Sequence, residues 1–333
     1  MHALVRPVPF SFSKALTREP LSRPLDPTQG REQHFAYCSV LKHMGFTLIE
    51  LPKLEAHPDS CFVEDCAVVA GGVALLTRPG APSRRGEVDA VGEALGAHLR
   101  LERMSEPATL DGGDCLRIGR RFYVGRSART NAAGVARLRE VFSPLGYEVL
   151  EVAVEGALHL KSVCSAAHGR VLLARGTVPP SVFARETVVL VDDDVSANVV
   201  EGPDGAVLAS TAARLELPGV TVRRVDNSEL RRADSALTCL CITWRGVTRP
   251  TADREAAVRR GARNRPRPSR PFTRRPTDAT VGHSTCRRLS SAATLRALHS
   301  WAPRAAVPVS EVVPVRAGSI SLTFGPRSRA APR

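Results

Sequence analysis

The run GDCLRIGRRFYVGRS (residues 113–127) decides the fold. It reads as strand, tight glycine turn, strand, the pattern of a β-hairpin. The same unit recurs as EDCAVVAGGVALLTR (64–78), VCSAAHGRVLLARG (163–176) and ANVVEGPDGAVLAST (197–211). Repetition at this spacing marks an architecture built from similar units, so the repeat sets the frame for every later reading. After the first two hairpins come stretches with charges on one helical face, SRRGEVDAVGEALGAHL (83–99) and ARTNAAGVARLREVFSPLG (128–146). The second leads into another apolar strand, YEVLEVAV (147–154), which makes the unit ββαβ. In the two later copies the intervening segments, VPPSVFARE (178–186) and STAARLELPG (210–219), are short and proline-marked, so their helices are expected to be weak. A fifth unit begins at ALTCLCITWRG (236–246), and only the amino-terminal HALVRPVPF (2–10) remains to complete it. That closure predicts an α/β fold, a five-bladed ββαβ propeller over residues 1–246 with no free sheet edge between its units.

Composition bounds the function classes. A chain of 333 residues with 43% hydrophobic residues can bury a sizeable core. Its formal charge of +14 suggests a polyanion partner until its position is traced. Eighteen of the 47 basic and four of the 33 acidic residues lie beyond Gly246, which leaves 29 of each, and no net charge, in residues 1–246. The folded part therefore gives no electrostatic reason to expect nucleic acid. Residues 247–333 read as a basic, Arg/Pro-rich and largely disordered tail whose lysine-free text resembles an out-of-frame translation. Eight cysteines at irregular spacings among apolar residues read as reduced core thiols and point to a cytoplasmic home. No apolar run is long enough to span a bilayer, and Pro7 and Pro9 interrupt the amino terminus where a signal peptide needs a continuous apolar region.

Polar residues cluster at the hairpin starts, which a ring of equivalent hairpins points toward one centre. They are Asp59, Glu64 and Asp65; Asp111 and Asp114 around Gly112 and Gly113; His159 and Ser162; Asn198; and Asp234 with Cys239. A thiol, an imidazole and several carboxylates form the inventory for a cysteine nucleophile with a general acid/base and anions to hold a cation. Cys241, two residues beyond Cys239, is expected to face the same side of a strand as a buried bystander. The spacings of Cys61 with Cys66 and of Cys239 with Cys241 fit no usual zinc pattern, and neither metal nor cofactor is expected.

Six motifs in order, FVEDCAVV, TRPGAPSRR, TLDGGDCL, VGRSARTN, LHLKSVCS and ALTCLCI, resemble the dimethylarginine dimethylaminohydrolases of the guanidino-modifying (pentein) superfamily, over residues 2–246. The resemblance implies hydrolysis of asymmetric dimethylarginine, and of monomethylarginine, to citrulline and the methylated amine through a cysteine thiouronium intermediate. Its partner is a small methylated arginine, with no nucleic acid or membrane. Cys239 matches the nucleophile and His159 the general acid/base, while Asp114 matches the acid that orients the histidine. Glu64 and Asp65 match the carboxylates that hold the guanidinium group. Arg84 and Arg129 match the pair that grips the substrate carboxylate, and Asp59 the contact to its amino group. Leu16 and Ala233 fall where backbone contacts to the substrate are made, Asp234 lies beside them, and Phe62 and Ser162 line the pocket. Alanine at 233 replaces a branched residue, and Ser235 stands where glycine is usual. The rival readings are an arginine deiminase or other guanidino hydrolase, and a non-catalytic binding protein on a damaged fold.

Overall fold

The computed structural model describes residues 1–246. The expectation of a disordered tail concerns residues outside the described ones. Within them the chain forms five three-stranded sheets. Strand β1 (His2–Val5) runs parallel to β2 (Thr47–Glu50). The next three sheets follow in chain order: β3 (Ala67–Ala70), β4 (Val73–Leu76) and β5 (Arg100–Arg103); β6 (Cys115–Ile118), β7 (Arg121–Arg126) and β8 (Glu148–Ala153); β9 (Cys164–Ala167), β10 (Arg170–Ala174) and β11 (Thr187–Val191). A fourth unit contains β12 (Val200–Glu201), β13 (Val207–Ser210) and β14 (Val222–Val225). In each the first two strands form an antiparallel hairpin and the third returns parallel to the second. Finally β15 (Ile242–Trp244) pairs antiparallel with β1, in the register His2 to Trp244 and Leu4 to Ile242. The two ends of the propeller thus share one sheet, which closes the ring as the amino-terminal strand predicts.

A parallel return needs a crossover, and crossover length decides whether a helix fits. Between β4 and β5 runs α2 (Val88–Gly96), and between β7 and β8 runs α3 (Ala132–Phe142), whose first turn is capped by the Asn131 side chain accepting from Gly134 N–H at 2.8 Å. The third unit leaves only residues 175–186, enough for a single 3₁₀ turn at Pro180–Phe183, and the fourth leaves residues 211–221, which carry no helix. Both expected weak helices are therefore absent as α-helices. The fifth unit carries the longest helix among the described residues, α1 (Pro27–His43), which no repeat comparison anticipates. Its start is nevertheless explicit in the chain: Asp26 accepts from the backbone N–H groups of Thr28 and Gln29, with Pro27 at the first helical position.

Apolar layers join neighbouring units. Val68, Val73 and Leu75 of one sheet pack with Phe122 and Val124 of the next, beneath Val135, Leu138 and Phe142 of α3. Each such fully buried side chain contributes roughly 1.5–3 kcal/mol relative to exposure. Short helical turns precede all five inner strands: Val63–Cys66, Gly112–Asp114, Leu160–Ser162, Asp194–Ala197 and Leu237–Leu240. Residues in or beside these turns supply the polar centre. The inner strands themselves line a channel of about 950 Å³ on the ring axis.

Candidate active site

A separate cavity of about 180 Å³ opens among the turns, lined by Leu16, Asp59, Phe62, Asp65, Arg84, Arg129, His159, Ala233, Asp234 and Cys239, with Thr17, Arg18, Leu158 and Ser235. Ten of the thirteen residues expected at the site meet here. Glu64, Asp114 and Ser162 do not line it.

The glycine pair explains how the turns converge so closely. A β-carbon on Gly112 would fall 2.0 Å from the Glu64 carbonyl oxygen, and one on Gly113 would fall 2.6 Å from His159 Nδ1 and 2.9 Å from Asp65 Oδ1. Gly113 N–H instead donates to Asp65 Oδ1 at 2.9 Å. The two glycines are a packing requirement of the site as well as turn chemistry.

His159 corrects one expectation. Its Nε2 lies 3.0 Å from Asp111 Oδ2, so the acid on the ring is Asp111 and not Asp114. Asp114 sits three residues on, at the far end of the 3₁₀ turn, where it accepts from the hydroxyls of Ser127 and Thr130 at 2.6 Å each and from Leu160 N–H at 3.0 Å. It braces the histidine's backbone rather than its ring. Burial opposes charge on His159, yet Asp65, the Asp111 hydrogen bond and Asp114 together outweigh it and raise its pKa to about 9. Asp65 moves the other way: burial works against its ionisation, but His159 and Arg84 hold it down to about 2.

Asp65, Asp111 and His159 also present donor atoms within 4.8 Å of one another, the spacing of a metal cluster. A metal ligand must be a neutral imidazole, however, and these carboxylates favour the imidazolium. Arg84 already takes the second oxygen of Asp65. The charge balance is that of an ion-pair network.

Glu64 is a second correction. Adjacent to Asp65 in the same turn, it points to the axial channel, where Lys161 Nζ lies 2.6 Å from its Oε1 and Thr238 Oγ1 donates to its Oε2 at 3.1 Å. Lys161, within the HLKS motif, was given no role by sequence. Arg84 lines the cavity but is engaged from within: it bonds Asp65, donates through Nε and Nη2 to Glu87, and gives Nη2 to the Phe62 carbonyl at 2.8 Å. Arg129 is less committed, with Nη1 3.9 Å from Asp111 Oδ2. Asp59 accepts from Leu16 N–H at 3.0 Å, which ties the amino-terminal segment over the cavity. Arg18, also missed in sequence, pairs with Asp234 and donates to the Gly156 carbonyl at 3.1 Å. Ser162 accepts from His159 N–H at 3.3 Å and faces a neighbouring cleft.

Cys239 is half-buried and its sulfur accepts from Ala236 N–H at 3.4 Å. Burial, then the negative charges of Glu64 and Asp65, push its thiol up to about 12 against the weaker help of Ala236 N–H and Lys161. Cys241 overturns the same-face expectation. Residues Leu237–Leu240 form a 3₁₀ turn rather than a strand, so alternation does not apply; Cys241 lines the axial channel, and its sulfur lies 3.1 Å from Oη of the buried Tyr37.

A five-unit α/β propeller with a thiol, an imidazole and carboxylates around one cavity is the arrangement expected of the guanidino-modifying pentein class. Similarity to known proteins narrows it. No family model matches the chain. The dimethylarginine dimethylaminohydrolase of Streptomyces coelicolor is 38% identical over 252 residues, covering 73% of this chain and 96% of that protein. The Pseudomonas aeruginosa enzyme of the same name is 31% identical over 73% of this chain and 99% of its own length. A crystal structure of the Pseudomonas protein, a cysteine-to-serine mutant complexed with citrulline, superposes with a TM-score of 0.67 at 29% identity, over 73% of this chain and 98% of that one. The amino-terminal domain of the cyanobacterial arginine dihydrolase ArgZ shares the fold, with a TM-score of 0.65 at 17% identity over 72% of this chain and 96% of that one. This chain belongs to the dimethylarginine dimethylaminohydrolase family, and it is a hydrolase.

Proposed function

We propose that the chain hydrolyses asymmetric dimethylarginine to citrulline and dimethylamine, and monomethylarginine to citrulline and methylamine, with Cys239 as nucleophile and His159 as general acid/base. The observation that carries this reading is that both residues open into the cavity that Asp65 also lines. A guanidinium carbon is a poor electrophile, so attack needs a thiolate and a donor for the departing amine. With its pKa pushed up to about 12, Cys239 is a thiol until a cation arrives, and the substrate guanidinium is that cation. Its positive charge beside the sulfur favours loss of the thiol proton to solvent as the substrate binds.

Sγ then bonds to the guanidinium carbon, His159 delivers its proton to the dimethylamino nitrogen, and the C–N bond breaks to leave a thiouronium adduct. The now neutral His159 takes a proton from water, whose oxygen attacks the same carbon. The C–S bond breaks, the adduct's hydroxyl proton passes to the departing sulfur, citrulline leaves and the resting thiol is restored. Asp65 holds the guanidinium group and Asp111 holds the imidazole ring. Arg129 reaches toward the substrate carboxylate, Asp59 receives its amino group, and Arg84 fixes Asp65 while lining the same wall. Leu16, Ala233, Asp234 and Phe62 shape the pocket. Glu64 acts at one remove, through Thr238 and Lys161.

Residues 1–246 carry this activity in our reading, with the basic tail a separate segment. Among the described residues all seven cysteines are free thiols, which supports a reducing, cytoplasmic setting. No helix among them is long and apolar enough to cross a membrane. The test is product analysis with purified protein. Citrulline and dimethylamine from dimethylarginine, undiminished by a chelator, are expected; faster release of ammonia from arginine would transfer the chain to deiminase chemistry.

A further inference from the structure

We infer that Asn198 is a positioning residue of this site, one that sets the spacing between the nucleophile turn and the acid/base turn. It lies just before the inner strand of the fourth unit and is 3% exposed. Its Oδ1 accepts from the backbone N–H of Thr238, the residue before Cys239, at 3.1 Å. Its Nδ2 donates to the carbonyl of Lys161, two residues after His159, at 2.9 Å, and to Thr238 Oγ1 at 3.2 Å. The amide orientation is dictated by its partners, since a backbone N–H requires the oxygen and a backbone carbonyl requires the nitrogen. Thr238, accepting from Asn198, donates its hydroxyl proton to Glu64, and Lys161 closes the circuit on the other oxygen of Glu64.

The result is a closed polar ring of four residues from four units, each bond with one permitted direction. Such a ring resists displacement, because moving either catalytic turn leaves a buried donor or acceptor without a partner. Asn198 is the member that touches both turns through backbone atoms, so it fixes where Sγ of Cys239 stands relative to the imidazole. Misplacement by about 1 Å costs on the order of 100-fold in rate, which is the scale on which this residue acts.

The inference rests on the roles assigned to Cys239 and His159, and its test separates the two claims. Asn198→Asp keeps the acceptor but puts an oxygen against the Lys161 carbonyl; Thr238→Val breaks the same ring at another member and covers the case in which Asn198→Asp fails to fold. For each variant we would measure the melting temperature, kcat and KM for dimethylarginine, and the rate of Cys239 alkylation by iodoacetamide, mapped by peptide mass spectrometry. The expected result is a cooperative melt, a fall in kcat of about 10- to 100-fold, KM within about twofold, and an altered Cys239 alkylation rate. A folded Asn198→Asp variant with parental kcat and parental alkylation would overturn the positioning role. If the parent itself does not turn over dimethylarginine, the proposed function falls, and the alkylation comparison still decides whether Asn198 sets the thiol's surroundings.

Discussion

Nε2 of His159 and Oδ2 of Asp111 meet at 3.0 Å, although the two residues belong to turns of different propeller units. The contact exists because Gly112 and Gly113 let the second unit's turn lie against Glu64 and His159. One carboxylate therefore reaches the ring while its neighbour three residues on braces the backbone behind it.

That division predicts different consequences for two isosteric substitutions. Asp111→Asn removes the charge on the ring and should lower kcat by at least about 100-fold with the fold retained, because the imidazole loses both orientation and stabilisation of its cation. Asp114→Asn should act chiefly on stability, by about 1–3 kcal/mol, since it weakens three hydrogen bonds, two of them buried. Steady-state kinetics alongside thermal melts separate the two; a larger kcat loss for Asp114→Asn would restore it as the ring's partner.

The two large shifts within the network make stability depend on pH in opposite directions. His159 holds its proton to about 9 in the folded chain, against roughly 6.5 unfolded. Its contribution is complete below about pH 6.5 and disappears as pH rises through 9. Asp65, held down to about 2 from an unfolded value of roughly 3.9, contributes fully above that value and loses its contribution as pH falls through 2. Melting temperatures should decline between about pH 7 and 9, and His159→Gln should flatten that decline. An unchanged slope in the variant would place the titrating group elsewhere.

Gly113→Ala tests the close approach of the turns. A methyl group at that position meets two buried side chains of the catalytic network at 2.6 and 2.9 Å, so the turn must retreat. We expect a loss of about 1–3 kcal/mol from overpacking and a collapse of turnover larger than that of Asp114→Asn. Parental activity in Gly113→Ala would mean that the turn yields without moving His159.

Much of this fold is legible in the sequence because four hairpins repeat the same strand-turn-strand text, and the closing β1–β15 pair follows once every other segment is placed. What escaped the reading has local causes. Helix α1 buries Gln33 and His34 along with Tyr37, Cys38 and Leu41 while leaving Phe35 74% exposed, so its apolar period is blurred. The DGGD motif offers two aspartates, and only the course of the 3₁₀ turn shows which one reaches the ring. Glu64 and Asp65 are neighbours in sequence, yet a tight turn sends one to the channel and the other to the cavity. Strand alternation puts Cys241 on the face of Cys239, but the segment that precedes it is a 3₁₀ turn and not a strand.

The central claim, that Cys239 attacks the guanidinium carbon while Cys241 stands aside, is tested most directly by trapping the thiol. The protein would be treated with a reactive amidine, digested, and the adduct located by peptide mass spectrometry, with turnover measured for Cys239→Ser and Cys241→Ser. The account predicts label on Cys239 alone, no turnover in Cys239→Ser, and near-parental turnover per folded molecule in Cys241→Ser. Label on Cys241, or a Cys239→Ser variant that still produces citrulline at close to the parental rate, would contradict it.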